Sequence, residues 1–202
     1  IYEALTAVRD DLEVRGVLVR GEGDRGFCAG ADLTEFGTAP SQAIARQVRW
    51  ERDVWGLWLS IPKPFVAALH GYCLGSGVEI ACMCDLRVAA DDMVFGMPEV
   101  GLGLLPAAGG TQLLPRMLGP GRAMELLLSG RRIGAQEAVS YGLVSCAVPR
   151  AELQATAQAM LRFALQAPDA VLTAAKRAVG EGADLPLAQA LDLERRLAAS
   201  LV

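Results

Sequence analysis

Two glutamates stand alone among apolar and glycine-rich neighbours: Glu79 in LGSGVEIACMC and Glu99 in FGMPEVGLG. A carboxylate in such surroundings is costly to bury without a partner, and a carboxyl group held out of water is suited to general acid or base work. LGSGVE (74–79) has a second use. A strand ends, glycines turn the chain and a helix begins, so unpaired N–H groups and the positive end of a helix dipole meet there. Such a turn can receive an anion or a developing oxyanion. The loop RGFCAGADL (25–33) supplies small residues, Ala29, Gly30 and Ala31, that let a ligand approach the backbone. Each feature also has a structural reading: a helix-start carboxylate at Glu79, a cap glutamate after Pro98, a tight loop at 25–33.

Other chemistries fail on inspection. G-x-G-x-x-G would need Gly where Ile80 stands. No phosphate-cradling G-x-x-x-x-G-K-[ST] occurs, and G-x-S-x-G fails at Leu74 and Val78 around Ser76. A Ser-His-Asp triad would have to use His70, the single histidine. A hydrogen-bonded histidine at a strand end is the better reading. No metal-ligand spacing is present.

These segments need elements to hold them. Helical spacing marks Tyr2 to Leu12, a long helix from Ser41 to about Ser60 with Ser41 as cap, and the stretches 109–118, 121–129 and 135–141. Further helices are expected at about 150–166, 169–179 and 186–201. VRGVLVRG (14–21), FVAALHG (65–71), DLRVAA (85–90), MVFG (93–96) and LVSCAV (143–148) read as strands. FVAALHG lacks polar alternation, so both its faces are expected to be covered. Strands alternating with helices indicate an α/β fold with a largely parallel sheet.

Composition narrows the classes. Hydrophobic residues are 52% and charged residues 21% of the 202, which excludes a disordered chain. No apolar 20-residue span occurs, so no membrane partner is expected. Nineteen basic against 23 acidic residues give a net charge of −4, which argues against nucleic acid as a partner. Cys28, Cys73, Cys82, Cys84 and Cys146 are odd in number and form no C-x-x-C pair. They read as free thiols in a reducing, cytoplasmic setting.

FCAGADL (27–33), IPKPFVAALHGYCLGSGVEIACMCDLRVAA (61–90), FGMPEVGLGLLPAAGGTQLLPRMLG (95–119), AMELLLSG and GAQEAVSYGLV (134–144) occur in order. In these motifs the chain resembles the crotonase superfamily, the enoyl-CoA hydratase/isomerase family. The resemblance implies a crotonase-like ββα spiral core over 1–149 and a C-terminal helical trimerisation region over 150–202. It also implies a homotrimer or a hexamer built as a dimer of trimers. By the family pattern the opening strands and the last helices are expected to lie outside these 202 residues.

The same resemblance implies roles. The N–H groups of Ala31 and Ser76 would form an oxyanion hole for a thioester carbonyl. Glu79 and Glu99 would be the catalytic pair. Ala29, Asp32, Leu33, Tyr72, Leu74, Gly75 and Pro98 would hold the coenzyme A thioester. Met97 and the loop 37–42 would border the acyl pocket, and Thr34 and Glu35 stand where some members carry Lys. Trp50, Trp55 and Trp58 are expected mainly in the core, with one exposed or near the acyl group. No metal or separate cofactor is implied; coenzyme A arrives as part of the substrate. The expected activity is enoyl-CoA hydration. The alternatives are another crotonase-type enzyme, such as an enoyl-CoA isomerase, or a non-catalytic acyl-CoA-binding protein of the same fold.

Overall fold

The computed structural model describes residues 1–35 and 37–201. The chain opens with α1 (Tyr2–Asp10), then β1 (Val17–Arg20) and β2 (Gly26–Cys28). Next come α2 (Gln42–Glu51) and α3 (Val54–Ser60). Then follow β3 (Phe65–Leu69), β4 (Tyr72–Leu74), α4 (Ser76–Met83), β5 (Leu86–Ala90) and β6 (Val94–Gly96). A 3-10 turn over Glu99–Leu102 leads to α5 (Gly110–Leu118) and α6 (Pro120–Ser129). β7 (Arg132–Gly134), α7 (Ala135–Tyr141) and β8 (Cys146–Val148) close the sheets. Helices α8 (Leu153–Ala164), α9 (Asp169–Gly182) and α10 (Leu187–Ala199) finish the described chain.

The strands form two sheets. One has the order β1-β3-β5-β8 and is parallel throughout; the other has the order β2-β4-β6-β7 with only β7 antiparallel. Successive strand pairs β1β2, β3β4 and β5β6 each place one strand in each sheet. This is a repeated ββα pattern, as expected for a crotonase-like spiral.

β3 shows why the first sheet reads as unbroken apolar sequence. All five of its residues are buried. Phe65, Ala67 and Leu69 face the larger core, while Val66 and Ala68 face a second cluster with Val88, Ala90, Leu153 and Ala157. Helix α8 therefore covers the outer face of the first sheet, and burial on both faces removes any polar alternation. His70 at the end of β3 is buried, with Nε2 3.0 Å from the Gly23 carbonyl oxygen. It lines a recess beside Arg20 and Arg150, apart from the site described below.

The long helix expected over 41–60 is two helices. Ser41 caps α2 as anticipated, its hydroxyl accepting from the Ile44 N–H at 3.2 Å. The helix then stops at Arg52, whose backbone (φ −121°, ψ 59°) is not helical. Asp53 restarts it, its carboxylate accepting from the Gly56 N–H at 3.0 Å. A side chain that satisfies an orphan N–H favours a new helix start over continuation. The break separates the three tryptophans. Trp50 is 87% exposed, whereas Trp58 is buried against Phe65 with ring centroids 5.3 Å apart. Trp55 faces the cavity described below.

The five cysteines are all free thiols. Burial pushes Cys82 and Cys84 up to about 12 and raises Cys73 well above the ordinary thiol value. Only the thiolate is nucleophilic. Native alkylation at pH 8 is therefore expected to modify at most Cys28 and Cys146, and all five after unfolding. Mass spectrometry of peptides would read this directly; a native adduct on Cys82 would contradict the packing.

Candidate active site

The turn after β4 builds the first half of the site. Gly75 takes φ 51° and ψ −120° and caps α4. A Cβ added there would lie 2.8 Å from Glu99 Oε1. The backbone conformation requires glycine, and any Cβ would in addition push the Glu99 carboxylate aside. Within α4 the Val78 and Glu79 N–H groups donate to the Gly75 carbonyl. Ser76 and Gly77 occupy the first turn, where N–H groups have no acceptor within the helix. The Gly30 loop lies alongside, since a Cβ at Gly30 would sit 3.4 Å from the Leu74 carbonyl oxygen. Ala31 and Ser76 line one cavity of about 390 Å³.

Glu79 is 1% exposed. Its Oε1 accepts from the Ala108 N–H at 2.9 Å and the Gly110 N–H at 2.8 Å. Hydrogen bonds to a charged acceptor contribute about 1.5–3 kcal/mol each, so the two amides offset much of the burial penalty. The partner that a buried carboxylate needs is thus the backbone of the 106–110 segment. Gly110 is required for this seat: a Cβ there would meet Glu79 Oε1, the Met97 methyl carbon and Pro106 Cβ, each at 2.9 Å.

Glu99 begins the 3-10 turn after Pro98. It is half-buried, and its Oε2 is screened from solvent without a hydrogen-bond partner. Burial lifts this carboxyl above the usual carboxylate range, and the negative charge of Glu79 lifts it further. A raised pKa means that the folded state binds the proton more tightly than the unfolded chain. The contribution to stability is therefore largest below the unfolded pKa and declines as pH rises through the folded one. Glu99→Gln is accordingly expected to raise the melting temperature at pH 8 more than at pH 4. Equal shifts at both pH values would count against ionisation of Glu99 as the cause.

The cavity gathers most of the residues marked from sequence. Ala29, Ala31, Leu33, Gly75, Ser76, Glu79, Pro98 and Glu99 all line it. Asp32, Tyr72 and Leu74 do not. The Asp32 carboxylate accepts from the Thr34 N–H at 2.9 Å and the Thr34 hydroxyl at 2.7 Å, which ties its own loop. Tyr72 is 47% exposed, with the Arg132 guanidinium 5.8 Å from its ring centre. Leu74 sits one residue before the turn and packs towards Gly96.

The residues expected to border an acyl pocket do not line this cavity. Met97 is buried in the core behind Gly110, and the 37–42 loop lies outside the lining. The lining comes instead from Leu102, the 104–108 segment, Trp55 and Arg49. Sequence patterning had no access to this wall, because α2, α3 and 104–108 meet only in the folded chain. Among the described residues no group of His, Cys, Asp or Glu could hold a metal ion, and no helix is long and apolar enough to cross a membrane.

The chain matches known proteins along its whole length. Residues 1–202 match the family described as enoyl-CoA hydratase/isomerase. Crotonyl-CoA hydratase of Syntrophomonas wolfei is 37% identical over 194 residues, covering 96% of this chain and 75% of that protein. The crystal structure of enoyl-CoA hydratase from Bacillus anthracis superposes with a TM-score of 0.90 at 36% identity. That match covers 98% of this chain and 76% of the other. A Geobacillus kaustophilus enoyl-CoA hydratase structure gives a TM-score of 0.91 at 34% identity, over 99% and 77% of the two chains.

Proposed function

The chain belongs to the enoyl-CoA hydratase/isomerase family, and on that premise we propose that it adds water across the 2,3 double bond of an enoyl-CoA thioester. One observation carries this reading: two carboxylates, one held by backbone amides and one with an unpartnered oxygen, share a cavity with the Ala31 and Ser76 backbone.

The thioester carbonyl oxygen sits between the Ala31 and Ser76 N–H groups. Negative charge accumulates on that oxygen as the double bond is attacked, and fixed donors stabilise it without reorganising. Glu79 and Glu99 hold one water between them. Glu79 takes a proton from the water as its oxygen bonds to C3. Glu99, whose carboxyl is disposed to keep its proton, delivers that proton to C2. Transfer of the proton from Glu79 to Glu99 then restores the pair. The net change is one water added and nothing oxidised or reduced. Ala29, Leu33, Gly75 and Pro98 bound the path of the thioester arm; Asp32 shapes the loop that carries Ala29 and Leu33, while Tyr72 and Leu74 support the turn. No metal and no separate cofactor enters this scheme.

Crotonyl-CoA tests the proposal. The expected result is loss of the conjugated thioester's ultraviolet absorbance with formation of 3-hydroxybutyryl-CoA. Conversion of 3-butenoyl-CoA to crotonyl-CoA without hydration would instead establish an isomerase. Binding of both thioesters without turnover of either would establish an acyl-CoA-binding protein.

A further inference from the structure

The acyl side of the cavity is apolar apart from one group. Leu102, Leu104, Leu105, Pro106 and Trp55 form the wall, and Arg49 is the one basic side chain among the described lining residues. Arg49 projects from α2, an amphipathic helix that buries no residue of its own. Its Nη2 donates to the Ala107 carbonyl oxygen at 2.9 Å. That bond uses one of five guanidinium N–H donors. Among the described residues no carboxylate pairs with it. The cation is thus anchored at one corner and retains donors for a ligand.

Its place relative to the reacting centre follows from one peptide unit. The Ala107 carbonyl accepts from Arg49, and the N–H of the same unit, on Ala108, donates to Glu79 Oε1. Arg49 Nη2 therefore lies no more than about 8 Å from Glu79 Oε1, given ordinary peptide dimensions. An acyl chain attacked at C3 beside Glu79 brings its next few carbons into that range. A guanidinium tethered at the exposed rim of an apolar wall is poorly matched to a plain alkyl tail. It is well matched to a carboxylate, which it can grip through two parallel bonds.

Resting on the enoyl-CoA reading above, we infer that the substrate is an enoyl-CoA whose acyl chain carries a second, free carboxylate two or three carbons beyond C3, received by Arg49. The carboxylate would otherwise enter a cavity already lined by Glu79 and Glu99, where like charge disfavours it. Arg49 supplies the opposite charge at the far wall.

Saturated thioesters test this without turnover. Titration calorimetry would compare glutaryl-CoA with valeryl-CoA and adipyl-CoA with hexanoyl-CoA, pairs matched in carbon count. The unaltered protein is expected to bind at least one dicarboxylic member about tenfold or more tighter than its partner. Arg49→Met should abolish the preference and Arg49→Lys should retain part of it. No preference in the unaltered protein overturns the inference. So does an equal weakening of both members of a pair by Arg49→Met, which would make Arg49 only a clasp for the 107–108 peptide. Preference without hydration of crotonyl-CoA or glutaconyl-CoA would remove the hydratase reading and leave the carboxylate site. Failure of every thioester to bind would overturn both.

Discussion

Glu79→Gln is expected to lower the rate of crotonyl-CoA hydration by roughly 10²–10⁴-fold, the range for loss of a general acid or base, with thioester affinity nearly unchanged. The substitution is clean because the glutamine oxygen can still accept from Ala108 and Gly110. The 106–110 segment keeps its anchor while the charge and the basicity disappear. Glu99→Gln should fall in the same range, since the amide cannot give a proton to C2. The two losses should not multiply, because both groups act on one water and one transition state. Steady-state kinetics on both single variants and the double variant measure this. A Glu79→Gln enzyme working within tenfold of the unaltered rate would end the two-carboxylate mechanism. Loss confined to one glutamate, together with turnover of 3-butenoyl-CoA, would favour the isomerase.

The other large effect is expected at Gly75. An alanine there must hold φ near 51° and ψ near −120°, a region open essentially only to glycine, at a cost of about 1–3 kcal/mol. Its methyl group would also meet Glu99 Oε1 at 2.8 Å. Relief of the backbone strain rotates the Gly75–Ser76 peptide and misdirects the Ser76 N–H, while relief of the contact displaces the Glu99 carboxylate. Loss of one oxyanion donor typically lowers kcat by about 10²–10³, so Gly75→Ala should show that loss in addition to the lower unfolding free energy. Ser76→Ala is the control: its backbone donor is intact, and its activity should stay close to that of the unaltered protein. Urea unfolding and crotonyl-CoA kinetics, run on both variants, separate the two contributions. Near-normal turnover by Gly75→Ala would remove this turn from the oxyanion hole.

Legibility in the sequence followed physical range. Glu79 and Glu99 stood out because each is an isolated carboxylate among residues that would be buried, and burial is a local signal. β3 was legible because five consecutive apolar residues leave few alternatives. β2, β4 and β7 are three residues each with a glycine inside or flanking both ends, so they read as turns, and their pairing comes from neighbours distant in sequence. The break between α2 and α3 was missed because Trp55 and Leu59 continue the apolar spacing past Asp53. The capping power of that aspartate outweighs the pattern. Arg49 and the 104–108 wall were invisible, since nothing local tells an exposed helical arginine from one that borders a cavity. Asp32 was marked only through the family resemblance; its side chain ties its own loop through Thr34, a local bond that no spacing pattern announces.

The cavity is bounded by two walls of unlike construction. One is made of α4 and the 106–110 segment, locked together by the bonds into Glu79. The other is α2, which buries nothing and is hydrogen-bonded to the opposite wall through Arg49. On the proposed reading, reaction chemistry and acyl selectivity are thereby modular. If the proposed reading holds, exchanging Arg49 alone would change which thioesters enter while the Glu79 seat stays as it is.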